Sequence, residues 1–355
     1  MKKIASVELL RFISAIMVII WHYQQFYLPY NFFSDVEVLS TNRDLQPFYN
    51  YLSLFYNYGN KGVDFFFIIS GFVFAYVYLI ENKTVKFKSF FINRFARLYP
   101  LHFLTLVAVI ILQFYSNENF NNYFIHLYND IYHFFLNFFF ISGWGFEKGL
   151  SYNGPIWSVS VEIIIYFLFF FLIINLKKNR ILNSFLVVIS LIAFRKIFNE
   201  EFLLKVNMNL INCGILFFEG VLVHYLFNKI KNKKLMSSIG IFFLIISLVG
   251  NFKIYIFLPS ILLIFLSLEN FIKPRISLFF SFLGNLTYGT YLWHLPLQIL
   301  LMILIKNTGL NFSVIDTKIF FLIYLSTLML VSILSYYLFE KKMRKWLRNK
   351  LNKTN

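Results

Sequence analysis

The sequence predicts an all-α, polytopic membrane helix bundle, and three observations carry that expectation. Apolar residues make up 59% of the 355-residue chain, charged residues only 14%, and mean hydropathy is +0.67. Apolar runs of span length recur along it, and most are apolar all round rather than on one stripe, the pattern of helices in hydrocarbon. Lys and Arg gather in short stretches between those runs, so the net charge of +17 reads as positive-inside topology. That placement removes nucleic acid as a partner.

Eleven apolar segments stand out, near 4–27, 62–80, 98–115, 127–142, 156–175, 182–198, 207–227, 235–250, 253–270, 279–304 and 318–339. Charge placement decides which of them cross. Lys2-Lys3, Lys83 to Arg97, Lys177-Lys178-Arg180, Lys229 to Lys234, Lys273-Arg275 and Lys341 to Arg348 all belong on the cytoplasmic side. If segment 127–142 crossed, every basic cluster after it would lie outside. If it lies in the interface or re-enters, all of them lie inside. About ten spans with both termini cytoplasmic are therefore expected. Residues 1–340 form one transmembrane domain, and 341–355 a basic cytoplasmic tail. Glu8 and Arg11 interrupt the first apolar run and no small-residue cleavage site follows, so it reads as a retained span and not a signal peptide. The single cysteine, Cys213, excludes an intramolecular disulfide and a cysteine-based metal site.

The first run carries Glu8, Arg11 and His22. At about 100° per residue, His22 returns to within roughly 20° of Arg11, about 16 Å further along the axis. Ionisable groups at that depth usually face a bundle interior or a wet cavity, so this helix reads as one wall of a polar pathway. The plain alternative is that Arg11 pairs with Glu8 at the helix end and His22 only hydrogen-bonds a neighbouring helix. In Gly62 to Phe72, Asp64 opens a helix and Ser70-Gly71 sits mid-span; these residues also suit an N-terminal charge and close helix packing. The largest external stretch, Leu28 to Asn60, is rich in Tyr and Asn and serves either as an ordinary loop or as a lip for a sugar.

Arg94 and Arg97 stand one turn apart on one helix face and can grip a phosphate, although such pairs often report topology alone. Gly154-Pro155-Ile156-Trp157-Ser158 opens another span, with Ser158 and Glu162 on a common face and Glu162 a turn or more into the membrane. Thr287, Tyr291 and His294 align in one stripe, and Pro296 distorts the helix just beyond. Under the expected topology His22, Asp64, Trp157, Glu162 and His294 lie toward the outer side, and Arg94 and Arg97 at the inner mouth. His102, His126, His133 and His224 are weaker candidates. No spacing asks for a metal.

Arg11 and His22, the Phe66-Phe67-Ile68-Ile69-Ser70-Gly71-Phe72 run, Arg94-x-x-Arg97, Trp157 to Glu162 and the Tyr288-x-x-Tyr291-Leu292-x-His294 run occur in an order that resembles the acyltransferase-3 family of membrane O-acyltransferases. The resemblance covers essentially the whole chain. It implies about ten spans in a bacterial plasma membrane. It also implies transfer of an acetyl group from cytoplasmic acetyl-CoA to a hydroxyl of an extracytoplasmic glycan, such as O-antigen, capsule, exopolysaccharide or a lipid-linked glycan. It assigns His22 as the catalytic base or acyl carrier with Arg11 close by, and Arg94 and Arg97 to the donor. Glu162 or Asp64 is then expected to orient His22, with Trp157, Ser158, Tyr291 and His294 on the substrate. Without a C-terminal hydrolase-like domain, the chain either completes transfer alone or hands acetyl groups to a separate transferase. A flippase or exporter also needs many spans and charged cavity walls, but it predicts inverted repeats or broken helices. A scaffold of a glycan assembly complex predicts that His22 and Glu162 are replaceable.

Overall fold

The computed structural model describes residues 3–28, 43–79, 85–175, 179–197, 207–249 and 254–352. Lys2, Lys83, Lys177, Lys178 and residues 29–42 of the external stretch lie outside the described residues. The helices are α1 (Ala5–His22), α2 (Tyr49–Tyr58), α3 (Gly62–Tyr78), α4 (Phe87–Phe120), α5 (Ile131–Phe138), α6 (Trp157–Phe169) and α7 (Arg180–Ile197). They continue with α8 (Met208–Lys229), α9 (Lys233–Val249), α10 (Ile254–Ser267), α11 (Pro274–Thr308), α12 (Lys318–Ser335) and α13 (Lys341–Asn352).

Among the described residues, eight helical stretches are long and apolar enough to cross a membrane, as befits a polytopic helical membrane protein. Ten were expected. The other two segments do form helices, but α7 puts Arg180, Arg195 and Lys196 into eighteen residues and α9 is only seventeen long. Segment 127–142 yields α5, eight residues and about 12 Å, far short of a bilayer. The second half of the Leu28 to Asn60 stretch, expected to be external, is also largely helical. The chain from Tyr49 runs through α2 and a short turn into α3 as one 30-residue stretch.

The chain folds into two compact units interleaved in sequence. Unit 1 comprises Met1–Ser14, Lys61–Phe87 and Val161–Asn285, and unit 2 comprises Ala15–Asn60, Lys88–Ser160 and Leu286–Asn355. The helices α1, α6 and α11 each contribute to both, as does α4 by its first residue.

Unit 1 is built on α3 against α8. A Cβ on Gly71 would stand 1.8 Å from the Phe217 carbonyl oxygen, and one on Gly220 would stand 2.0 Å from that of Ile68. Each helix thus presses its backbone into the other's glycine notch. With no hydrophobic force between helices in lipid, such close packing is what holds them. Glu269 caps the start of α1, accepting from the Ala5 and Ser6 amides at 3.1 and 2.9 Å and from the Ser6 hydroxyl at 2.9 Å. Three otherwise orphaned donors are satisfied there.

Unit 2 has an aromatic core around the continuation of α1. Tyr23 and Phe26 are fully buried and pack on Phe320, Phe321 and Tyr324, and the Tyr23 hydroxyl donates to the Ile315 carbonyl at 2.6 Å. This packing seats the end of α1, where His22 lies. Two long helices, α4 and α11, frame the unit, and each contains an internal proline, Pro100 and Pro296.

Candidate active site

The site is assembled within unit 2 from α1, α11 and the segment before α6. His22 ends α1 with its Nδ1 2.9 Å from the Val18 carbonyl. A carbonyl only accepts, so Nδ1 carries the hydrogen and Nε2 keeps its lone pair. His294 repeats the arrangement on α11, with Nδ1 donating to the Tyr291 carbonyl at 2.6 Å. The two ring centroids are 4.9 Å apart and tilted by 40°. His22 is partly exposed and His294 fully buried. The sequence stripe therefore delivers two imidazoles with both Nδ1 atoms committed to their own helices.

The surroundings are hydrogen-bonded to the same two helices. Gln298, one turn beyond His294, donates from Nε2 to the His22 carbonyl at 2.9 Å and ties the end of α1 to α11. Ser158 Oγ and the Tyr291 hydroxyl are 2.9 Å apart and share the Pro155 carbonyl, at 3.1 and 3.0 Å. Asn153 donates to Thr105 Oγ1 at 3.0 Å and to the Leu292 carbonyl at 3.1 Å. That carbonyl would ordinarily bond the amide four residues on, but position 296 is proline and has none. Asn153 replaces the missing donor.

A third histidine joins them. His126 is buried and lies within electrostatic reach of both His22 and His294. Burial, and then His294, push its pKa down to about 3. A Cβ on Gly154 would come within 2.3 Å of His126 Nε2, so the motif glycine is what admits the ring. The backbone is strained on either side of this contact. Ile125, β-branched, has φ +67° and Tyr152 has φ +44°, conformations worth about 1–3 kcal/mol each.

Three buried acceptors here have no hydrogen-bond partner among the described residues: His294 Nε2, Asn153 Oδ1 and Gln298 Oε1. Each is fully buried in a side chain fixed by a second contact. Unpaired buried acceptors are costly and ask for a donor. Ligands rich in O–H or N–H supply one.

The remaining expected residues have other settings. Arg94 and Arg97 are half-buried on α4 in unit 2, and the Tyr288 hydroxyl pins α11 to the next turn by donating to the Leu98 carbonyl at 2.8 Å. Arg97 and Arg344 lie within electrostatic reach of Glu340. Trp157 begins α6, half-buried. Arg11, Asp64 and Glu162 belong to unit 1. Arg11 pairs with Glu8 at 3.4 Å, which Lys3 approaches at 3.6 Å; this is the plainer of the two sequence readings for Arg11. Asp64 pairs with Lys61 at 3.6 Å, and Glu162 accepts a short hydrogen bond from the Tyr166 hydroxyl one turn on. The carbonyl of Val18, rather than a carboxylate, bonds Nδ1 of His22.

Asn153, Gln298, Thr105 and the involvement of His126 were not anticipated. Gln298 was findable, because it extends the Tyr291–His294 stripe by four residues. Asn153 was findable in principle as the polar residue immediately before Gly154-Pro155. Nothing local marks Thr105 or His126.

Comparison with known proteins agrees in family. A family model described as "Acyltransferase domain" matches residues 4–338. An Acidianus two-tailed virus protein, provisionally named an acetyltransferase, is 27% identical over 236 residues, 60% of this chain and 66% of that protein. The peptidoglycan O-acetyltransferase OatA of Listeria monocytogenes is 25% identical over 293 residues, 67% of this chain and 45% of its own length. The chain thus spans about two thirds and about half of the lengths of these relatives. No solved structure matches it.

Proposed function

The chain belongs to the acyltransferase domain family, and from that premise we propose that it is a membrane O-acetyltransferase acting on a hydroxyl of a cell-surface glycan, with acetyl-CoA as donor. The observation that carries this reading is the His22–His294 pair, whose Nδ1 hydrogens are held by helix carbonyls while Nε2 of His22 keeps its lone pair. A base needs that arrangement, with one nitrogen fixed and the other free to take a proton.

In this mechanism His22 Nε2 accepts the proton of the acceptor hydroxyl as its oxygen bonds the acetyl carbonyl carbon. The carbon–sulfur bond of the thioester breaks, and His22 returns the proton to the departing sulfur. Gln298 and Val18 keep the end of α1 and the ring in place. The unpaired acceptors on His294, Asn153 and Gln298 suit the hydroxyls of a sugar or the amides of the pantetheine arm. Arg94 and Arg97 hold the donor's phosphates, because a fork-shaped guanidinium pairs well with phosphate oxygens. Tyr288, which pins α11 beside that arginine turn, lies six residues and about 9 Å before His294 along the helix.

The test is mass spectrometry of surface glycans from cells lacking this gene, complemented with wild type or His22→Ala. Loss of one acetyl mass on deletion, restored by wild type alone, is the expected result. Loss of the whole glycan, or full rescue by His22→Ala, overturns the proposal and points to a carrier or scaffold.

A further inference from the structure

Unit 1 holds a guanidinium whose direct partners are neutral. Arg195, in the last turn of α7, donates from Nη1 to Asn212 Oδ1 at 2.6 Å and, by a short bond, to the Tyr255 hydroxyl. Tyr255 donates in turn to Asn212 Oδ1 at 2.6 Å. Asn212 lies early in α8 and Tyr255 at the start of α10, so one end of each of three helices meets at this point. The guanidinium carbon also lies 5.7 Å from the centre of the Tyr255 ring. Together these contacts fix the plane of the group.

They use only the Nη1 corner. Among the described residues, Nε and Nη2 of Arg195 have no partner, and the side chain is partly exposed. The Nε–H/Nη2–H edge is one that accepts two oxygens of a carboxylate or phosphate side by side. Asp64 is within electrostatic reach of Arg195, but its ion-pair partner is Lys61. An arginine in an apolar helix end normally acquires an anion, since leaving its charge with neutral neighbours is expensive.

We propose that Arg195, Asn212 and Tyr255 form an oxyanion-binding site, taking either the carboxylate of an acidic sugar or the phosphate of a lipid-linked glycan. That the ligand is a glycan rests on the acetyltransferase reading above; the binding of an oxyanion does not. Asn212 and Tyr255 present the guanidinium edge, and Arg195 supplies the charge.

The test is thermal unfolding of the full chain in detergent, titrated at constant ionic strength with glucuronate, inorganic phosphate or glucose. Saturable stabilisation by glucuronate, phosphate or both is expected, with none from glucose. A response to glucuronate alone names the sugar carboxylate, and one to phosphate alone names the lipid-linked phosphate. Arg195→Gln should weaken the response at least tenfold. So should Asn212→Asp, which preserves shape but neutralises the guanidinium internally and serves should Arg195→Gln fail to fold. His22→Ala should leave the response intact, separating this site from the transfer chemistry. No saturable shift, an equal shift with glucose, or an unchanged response in both site variants overturns the proposal.

Discussion

Asn153 donates a hydrogen bond of 3.1 Å to the Leu292 carbonyl, the group that Pro296 deprives of its helical partner. A break in α11 is thus repaired from the segment before α6, two residues before His294. Replacing Asn153 by Leu keeps the branching and heavy-atom count of the side chain and removes the donor. We expect this variant to lose about 1–3 kcal/mol of stability, the cost of an unpaired buried carbonyl. Thermal unfolding in detergent measures it, and an unchanged midpoint would show that the contact contributes nothing.

Gln298→Ala should reduce acetyl transfer without abolishing it. The side chain holds the His22 carbonyl and so acts on the base through the end of α1. Misplacement by about an ångström is worth on the order of 100-fold in rate. Transfer assays on membranes should place Gln298→Ala between wild type and His22→Ala, with normal insertion in all three.

Arg94→Ala combined with Arg97→Ala should raise the donor KM and leave kcat little changed. Both side chains lie on one face of α4, a turn from the Tyr288 anchor. An acetyl-CoA titration decides this. A KM equal to wild type would return the pair to a purely topological role.

Gly220→Ala and Gly71→Ala should each disrupt unit 1. The added methyl would meet the Ile68 or Phe217 carbonyl at 2.0 or 1.8 Å, and backbone cannot yield as a flexible side chain does. Overpacking of this kind costs about 1–3 kcal/mol or more. The readout is the yield of monodisperse protein after extraction; wild-type yield and melting temperature would disprove the close contact.

Acid should destabilise the fold partly through His126. Its pKa is about 3 in the folded chain, against an ordinary value of 6.5. The unfolded state therefore binds the extra proton first, and stability rises with pH across that window. The contribution is complete above 6.5 and is lost progressively as pH falls toward 3. His126→Gln should flatten the melting temperature between pH 7 and pH 4, about the upper two thirds of that window, and an unaltered slope would assign the acid sensitivity to other groups.

Residue chemistry along the chain was enough to identify a membrane bundle and its family, and to single out His22 and His294 as candidates. Hydropathy and charge act against bilayer and water one segment at a time, so they are legible locally. The limits are local too. The helix from Tyr49 was hidden by a polar, Tyr- and Asn-rich stretch.

The tertiary structure decided who touches whom. That His22 meets His294, that Gln298 and Asn153 complete the surroundings, and that Arg195 is caged by neutral oxygens all follow from helix packing. A helix apolar on every side does not announce which face its neighbour takes. In lipid that choice falls to glycine notches, proline-freed carbonyls and buried hydrogen bonds, and each needs a partner distant in sequence.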